Sequence, residues 1–190
     1  MKKILMTILL VAAILPASAQ YRDVQLPEKP KQRAYTDFTR QEQGFWFAVE
    51  ADGGSSIMSG RTNMQYVEVT ATAGYRFSEF IRVGAGLGGK MYVHNAEVRG
   101  TDNKFGVPIF ANVRGNLLSA YDRDGVPFWS VNIGGITNEG FMFSPTVGYS
   151  FGGLRNNFLI GITYTLTNFT DWTNSKTTYS YFGLKLGYEF

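Results

Sequence analysis

The chain has 190 residues, no cysteine, 17% charged and 15% aromatic residues, and 22 glycines. Ordinary soluble domains carry roughly a quarter charged residues and about 7% glycine, so the composition points away from a disordered chain. Interior helical glycines cost about 1 kcal/mol each, which argues against a helix bundle, and the lack of cysteine excludes a disulfide framework, thiol catalysis and a cysteine zinc site.

Residues 1–19 begin with Lys2 and Lys3, continue through an apolar run from Ile4 to Leu15, and end in Ala17-Ser18-Ala19. This is the layout of a signal peptide with cleavage after Ala19, and about a dozen apolar residues are too few for a membrane-spanning helix. Removing the two lysines leaves 16 basic against 15 acidic side chains. The formal net charge of +3 therefore falls to +1, and nucleic acid is not an expected partner.

Residues 20–43 are dense in Pro, Gln and charge, with no apolar period. They read as a flexible periplasmic segment. From Gly44 onward the rhythm changes to period two. Residues 44–190 divide into eight alternating segments, at about 44–52, 65–77, 81–93, 106–118, 127–136, 141–151, 158–168 and 177–190. Most have the length of a tilted strand that crosses a bilayer.

Sorting each segment by parity puts bulky apolar residues on one face, such as Phe47, Val69, Leu87, Ile109, Ile133, Val147, Ile162 and Leu184. The other face carries Glu50, Glu68, Arg76, Arg82, Lys90, Arg114, Lys185 and Glu189 among Ser, Thr, Asn and many glycines. A soluble barrel turns its apolar face inward. A membrane barrel turns it toward lipid and keeps a polar lumen, and small residues suit the crowded inside of a narrow tube. The expected fold is an all-β, eight-stranded antiparallel up-and-down transmembrane β-barrel. Short turns alternate with longer links, which places both ends of the barrel chain in the periplasm and residues 52–64, 94–105 and 168–176 among the external loops. Phe105, Phe169 and Trp172 are candidate contact points there.

Outward positions near the periplasmic rim are aromatic: Tyr75, Phe77, Trp129, Tyr149, Phe151, Phe158, Tyr188 and Phe190. Rings with a polar edge settle at the lipid–water boundary, so these eight are expected to form a girdle. The eight lumen charges fall at matching depths with both signs at each level. Buried ions need partners, and eight strands leave an interior just wide enough for side chains, so a lumen plugged by ion pairs is expected.

Strand number, sidedness and the ending Tyr181-Phe-Gly-Leu-Lys-Leu-Gly-Tyr-Glu-Phe190 resemble the small eight-stranded outer-membrane barrels, the OmpX-like proteins and the OmpA transmembrane domain. The resemblance implies residence in a Gram-negative outer membrane, among outer-membrane lipid and lipopolysaccharide. It also implies an assembly signal at Tyr188 and Phe190 read by the barrel-assembly machinery, and a structural or surface-contact role with host or surface ligands at the external loops. The chain is expected to be a monomer without cofactor or catalysis. A narrow channel or small-solute binding barrel is the alternative, and a lipid-modifying barrel enzyme the third.

Two motifs bear on chemistry. Gly84-Ala-Gly-Leu-Gly-Gly-Lys90 nearly spells a phosphate loop, but Met91 stands where Ser or Thr is needed and the run lies within a strand. His94, the only histidine, has Ala96 two residues on where a deacylase-type site would want Ser. No catalytic or metal residue is assigned.

Overall fold

The computed structural model describes residues 43–57, 63–94, 104–120, 123–152, 155–170 and 176–190. The expected signal peptide, nearly all of the polar segment after it, Trp172 and much of three of the longer links lie outside the described residues.

Nine strand segments run β1 (Gly44–Ser56), β2 (Gln65–Arg76), β3 (Arg82–His94), β4 (Phe105–Gly106), β5 (Pro108–Asn116), β6 (Gly125–Ile136), β7 (Gly140–Phe151), β8 (Asn157–Thr170) and β9 (Lys176–Glu189). The two-residue β4 and β5 are one stave interrupted at Val107, so the wall has eight staves. Each pairs antiparallel with its neighbours in sequence, and β9 pairs with β1. The result is a closed eight-stranded up-and-down barrel with no open edge. Backbone bonds in both directions between Phe47 and Phe190 fasten the last residue to the first strand, at 3.4 and 2.8 Å.

The strands form because each has a side for two different surroundings. Along β2, outward Val67, Val69, Ala71, Ala73 and Tyr75 alternate with buried Tyr66, Glu68, Thr70, Thr72 and Arg76. The period-two pattern fixes register, since a one-residue slip would move every side chain to the opposite face. Outward residues include Leu184 at 64% exposure and Val69 at 51%, whereas Arg114 is 1% exposed and Lys90 fully buried. Sidedness is thus inverted relative to a water-soluble protein.

Two irregularities have a chemical cause. Pro108 has no N–H to give the ladder, and Val107 before it turns away from β3 to exchange bonds with Thr137, through Thr137 N–H to the Val107 carbonyl (3.0 Å) and Val107 N–H to Thr137 Oγ1 (2.8 Å). Pro145 likewise leaves a gap in the β7–β8 register between Phe143 and Thr146. There the Thr163 hydroxyl donates to the Pro145 carbonyl at 3.3 Å.

Two ends can be distinguished. The base carries Gly44, Phe190 and the connections after β2, β5 and β7; the mouth carries the connections after β1, β3, β6 and β8. At the base, Glu79 accepts from the Ala120 amide at 2.8 Å and its carbonyl accepts from Asn116 N–H at 3.2 Å, tying the β2–β3 turn to the start of the β5–β6 link. At the mouth the β6–β7 turn is only three residues long. Asn138 and Gly140 adopt positive φ (67° and 94°), which bends Glu139 back into the barrel.

The first strand continues four residues past the expected boundary, to Ser56. Asp52 and Ser56 are therefore buried wall residues, corrected from their expected place in an external loop, and Met64, in the connection just before β2, is buried as well. The parity of Glu50 carries through Asp52 without a break, whereas Gly53 and Gly54 fall within the expected 52–64 loop.

Candidate functional site: the ionic and aromatic lumen

All eight lumen charges expected from parity point inward and are buried. Six of them form two groups linked through Arg114, one around Glu189 and one around Glu50, while Lys90 pairs apart from both. Near the base, Glu189 receives three guanidinium groups: Arg76 at 2.6 Å and Arg82 at 2.5 Å on Oε1, and Arg114 at 3.5 Å on Oε2. Those arginines come from β2, β3 and β5, so the penultimate residue of the chain ties four strands together. Arg82 also donates to Asn116 Oδ1 (2.9 Å), and Arg114 to Asn112 Oδ1 (2.8 Å).

Arg114 connects the groups. Its other guanidinium nitrogen lies 2.9 Å from Glu50 Oε1, and its plane lies 4.5 Å from the centre of the Trp46 ring. Glu50 Oε2 lies 3.6 Å from Lys185, which is 3.9 Å from Asp52. Toward the mouth, Lys90 pairs with Glu139 at 3.4 Å. Its ammonium also sits 4.7, 5.0 and 4.5 Å from the ring centres of Tyr66, Tyr92 and Tyr181. An ammonium stripped of water and faced by three rings gains cation–π attraction in place of hydration.

Glu68 departs from the expected pattern. It lies opposite Lys90 in the β2–β3 register, yet among the described residues it makes no ion pair. Lys90 is engaged by Glu139 instead. Parity could have assigned Asp52. Glu139 carried no such signal, because a turn residue has no strand parity and the positive φ values at Asn138 and Gly140 direct it inward.

The far wall of the lumen is neutral. Asn112 donates to Ser130 (2.9 Å) and to Asn132, while Ser144 bridges the hydroxyls of Thr163 (3.1 Å) and Thr165 (2.8 Å). A charged wall on β1, β2, β3 and β9, joined by Arg114 of β5, thus faces an amide and hydroxyl wall built from the rest of β5 and from β6 to β8.

The lumen is also more aromatic than the size asymmetry of the two faces suggests. Trp46, Tyr66, Tyr92, Phe110, Phe128 and Tyr181 are buried in it, against the expectation that bulk would gather outside. Glycines make the room. A Cβ on Gly86 would stand 2.5 Å from the Phe110 ring, and one on Gly148 would stand 2.7 Å from Phe128. The run from Gly84 to Lys90 is therefore accommodating strand backbone within β3, and His94 ends that strand exposed.

On the outside, Tyr75, Phe77, Tyr149, Phe151, Phe158, Tyr188 and Phe190 are exposed, and Trp129 is half-buried beside Gly115. They cluster at the base half. Ring centres lie 5.2 Å apart for Tyr75–Phe77, 4.9 Å for Tyr149–Phe151 and 4.8 Å for Tyr188–Phe190, and Phe158 is in register with both Phe151 and Tyr188. Of the candidate contact points, Phe105 is exposed on β4 and Phe169 lies on β8.

No family model matches the chain, and no curated protein matches its sequence. Among solved structures it is similar to the crystal structure of Neisserial surface protein A (NspA), with 13% identity and a TM-score of 0.50, covering 76% of this chain and 95% of that one. The likeness is one of fold. Because nearly the whole of NspA is spanned, it extends to the complete eight-stranded barrel.

Proposed function

We propose that the chain is a non-enzymatic integral protein of a Gram-negative outer membrane, whose barrel holds up external loops for envelope structure or surface contact. The observation that carries this reading is the inverted sidedness: Leu184, Val69 and their outward neighbours are exposed while Arg114, Lys90 and Glu189 are buried. In water, such an apolar exterior would be an aggregation surface. In lipid it is the stable arrangement, since a closed barrel also satisfies its backbone internally. The fold shared with NspA, a protein named for the surface, supports the same reading.

On this reading the base faces the periplasm, the aromatic residues of the base half form the girdle, and Tyr188 with Phe190 forms the end that the barrel-assembly machinery reads. The ion pairs of Glu189, Arg114, Glu50 and Lys90, together with the buried rings, plug the lumen. Outer-membrane lipid and lipopolysaccharide are the surroundings, a host or surface ligand at the loops is the partner, and the protein is a monomer. Membrane fractionation with heat-modifiable gel mobility tests location and barrel together; recovery in the soluble fraction, with no mobility shift, contradicts the reading. Planar-bilayer recording tests the plug: no unitary steps are expected, and steady steps abolished by Lys185→Met or Glu50→Gln would make the chain a channel.

A further inference from the structure

The cations of the lumen are unevenly shared. Arg76, Arg82 and Arg114 all converge on Glu189, and Arg114 also reaches Glu50. Among the described lumen cations, only Lys185 and Lys90 remain toward the mouth. Lys185 is divided between Glu50 and Asp52, and Lys90 is engaged by Glu139. Asp52 and Glu68 then stand directly opposite each other on β1 and β2, both inward, at 8% and 6% exposure. Like charges at directly opposed positions repel, and burial adds to the cost of each. Beside them the Tyr66 hydroxyl, 2% exposed, and Asp52 Oδ1 have no hydrogen-bond partner among the described residues.

The geometry points to a proton-binding site in which Asp52 and Glu68 hold one proton between them at neutral pH. One proton turns two facing anions into a donor and an acceptor and restores charge balance around Lys185. The groups facing the pair are Glu50 from β1, Tyr66 from β2, Lys90 and Tyr92 from β3, Tyr181 and Lys185 from β9, and Glu139 from the β6–β7 turn. Each lysine lies closer to another carboxylate than to this pair: Lys90 to Glu139 at 3.4 Å, and Lys185 to Glu50 at 3.6 Å against 3.9 Å to Asp52. Loss of the proton at alkaline pH would leave two opposed anions at the mouth end of the β1–β2 seam, so that seam is expected to loosen as pH rises.

The site rests on the reading of a sealed lumen, and infrared spectroscopy of the full-length barrel refolded in phosphatidylcholine vesicles tests it. A carbonyl band of a protonated carboxylic acid is expected at neutral pH, with the intensity of one group. Asp52→Asn and Glu68→Gln are each expected to abolish it, since either leaves a single carboxylate free to ionise, while Glu79→Gln leaves it unchanged. Heat-modifiable mobility verifies that each variant is folded. A titration of the unmutated protein gives a second measure, in which the band disappears as pH is raised. Absence of the band at neutral pH, or its persistence in both single variants, overturns the site. A sealed barrel without the band loses the proton site alone, whereas a conducting barrel without it loses the sealed lumen as well.

Discussion

Among single residues, Glu189 carries the greatest weight. Three guanidinium groups converge on it; its removal would leave Arg76 and Arg82 buried without this carboxylate and Arg114 with Glu50 alone. Breaking a buried ion pair from one side costs about 3–5 kcal/mol. Glu189→Gln is therefore expected to lower urea stability of the lipid-refolded barrel by about that much, and a loss below ~1 kcal/mol would show that the arginines find other partners. Gly86 tests packing in the same way. Its missing Cβ is the space into which the Phe110 ring fits, so Gly86→Ala should cost about 1–3 kcal/mol through overpacking. Phe110→Leu should recover part of that loss in the double variant, giving a coupling that independent sites lack. The inward direction of Glu50, Arg76 and Lys185 was legible from parity alone. Glu139 was not, because its direction depends on the backbone of a three-residue turn, and the idle state of Glu68 was hidden because Glu139 takes its lysine.

Among the elements, the alternation that sequence displays is also what stabilises each strand, so the eight staves were legible to within a few residues. What sequence missed arose where another force overrode the pattern. Gly53 and Gly54 fall in the expected 52–64 loop, but pairing of Gly53 with Val67 and Leu184 and of Gly54 with Tyr66 and Gly183 carries β1 on to Ser56. Pro108 breaks a stave that reads as continuous, and Val107 recovers its bonds from Thr137. Buried rings such as Trp46 and Tyr181 were overlooked because size asymmetry between the faces was read as exclusion of bulk from the lumen. The outward face sets its own limit at this scale: Val69 lies midway along β2, so Val69→Arg should cost about 2–4 kcal/mol in lipid. An equal substitution at Val93, close to the mouth end of β3, should cost about 0–1 kcal/mol, as expected near a bilayer surface. Equal costs at the two sites, measured by urea unfolding in vesicles, would remove the depth dependence that hydrocarbon imposes.

For the whole molecule, the closed wall, apolar exterior and ionic interior fit one physical object under the proposed function: a tube whose outer solvent is oil and whose inside is filled with its own side chains. The chain contains no cysteine, so single cysteines can report which surroundings each face meets. The most direct measurement is the accessibility of nitroxide labels at Val69 and Leu184, and at Thr70 and Thr163, in the vesicle-reconstituted protein. Labels at Val69 and Leu184 are expected to collide with dissolved oxygen far more than with a water-soluble nickel chelate, and labels at Thr70 and Thr163 to be immobile and shielded from oxygen. Nickel-dominated collisions at Val69 and Leu184 would contradict the account at its root.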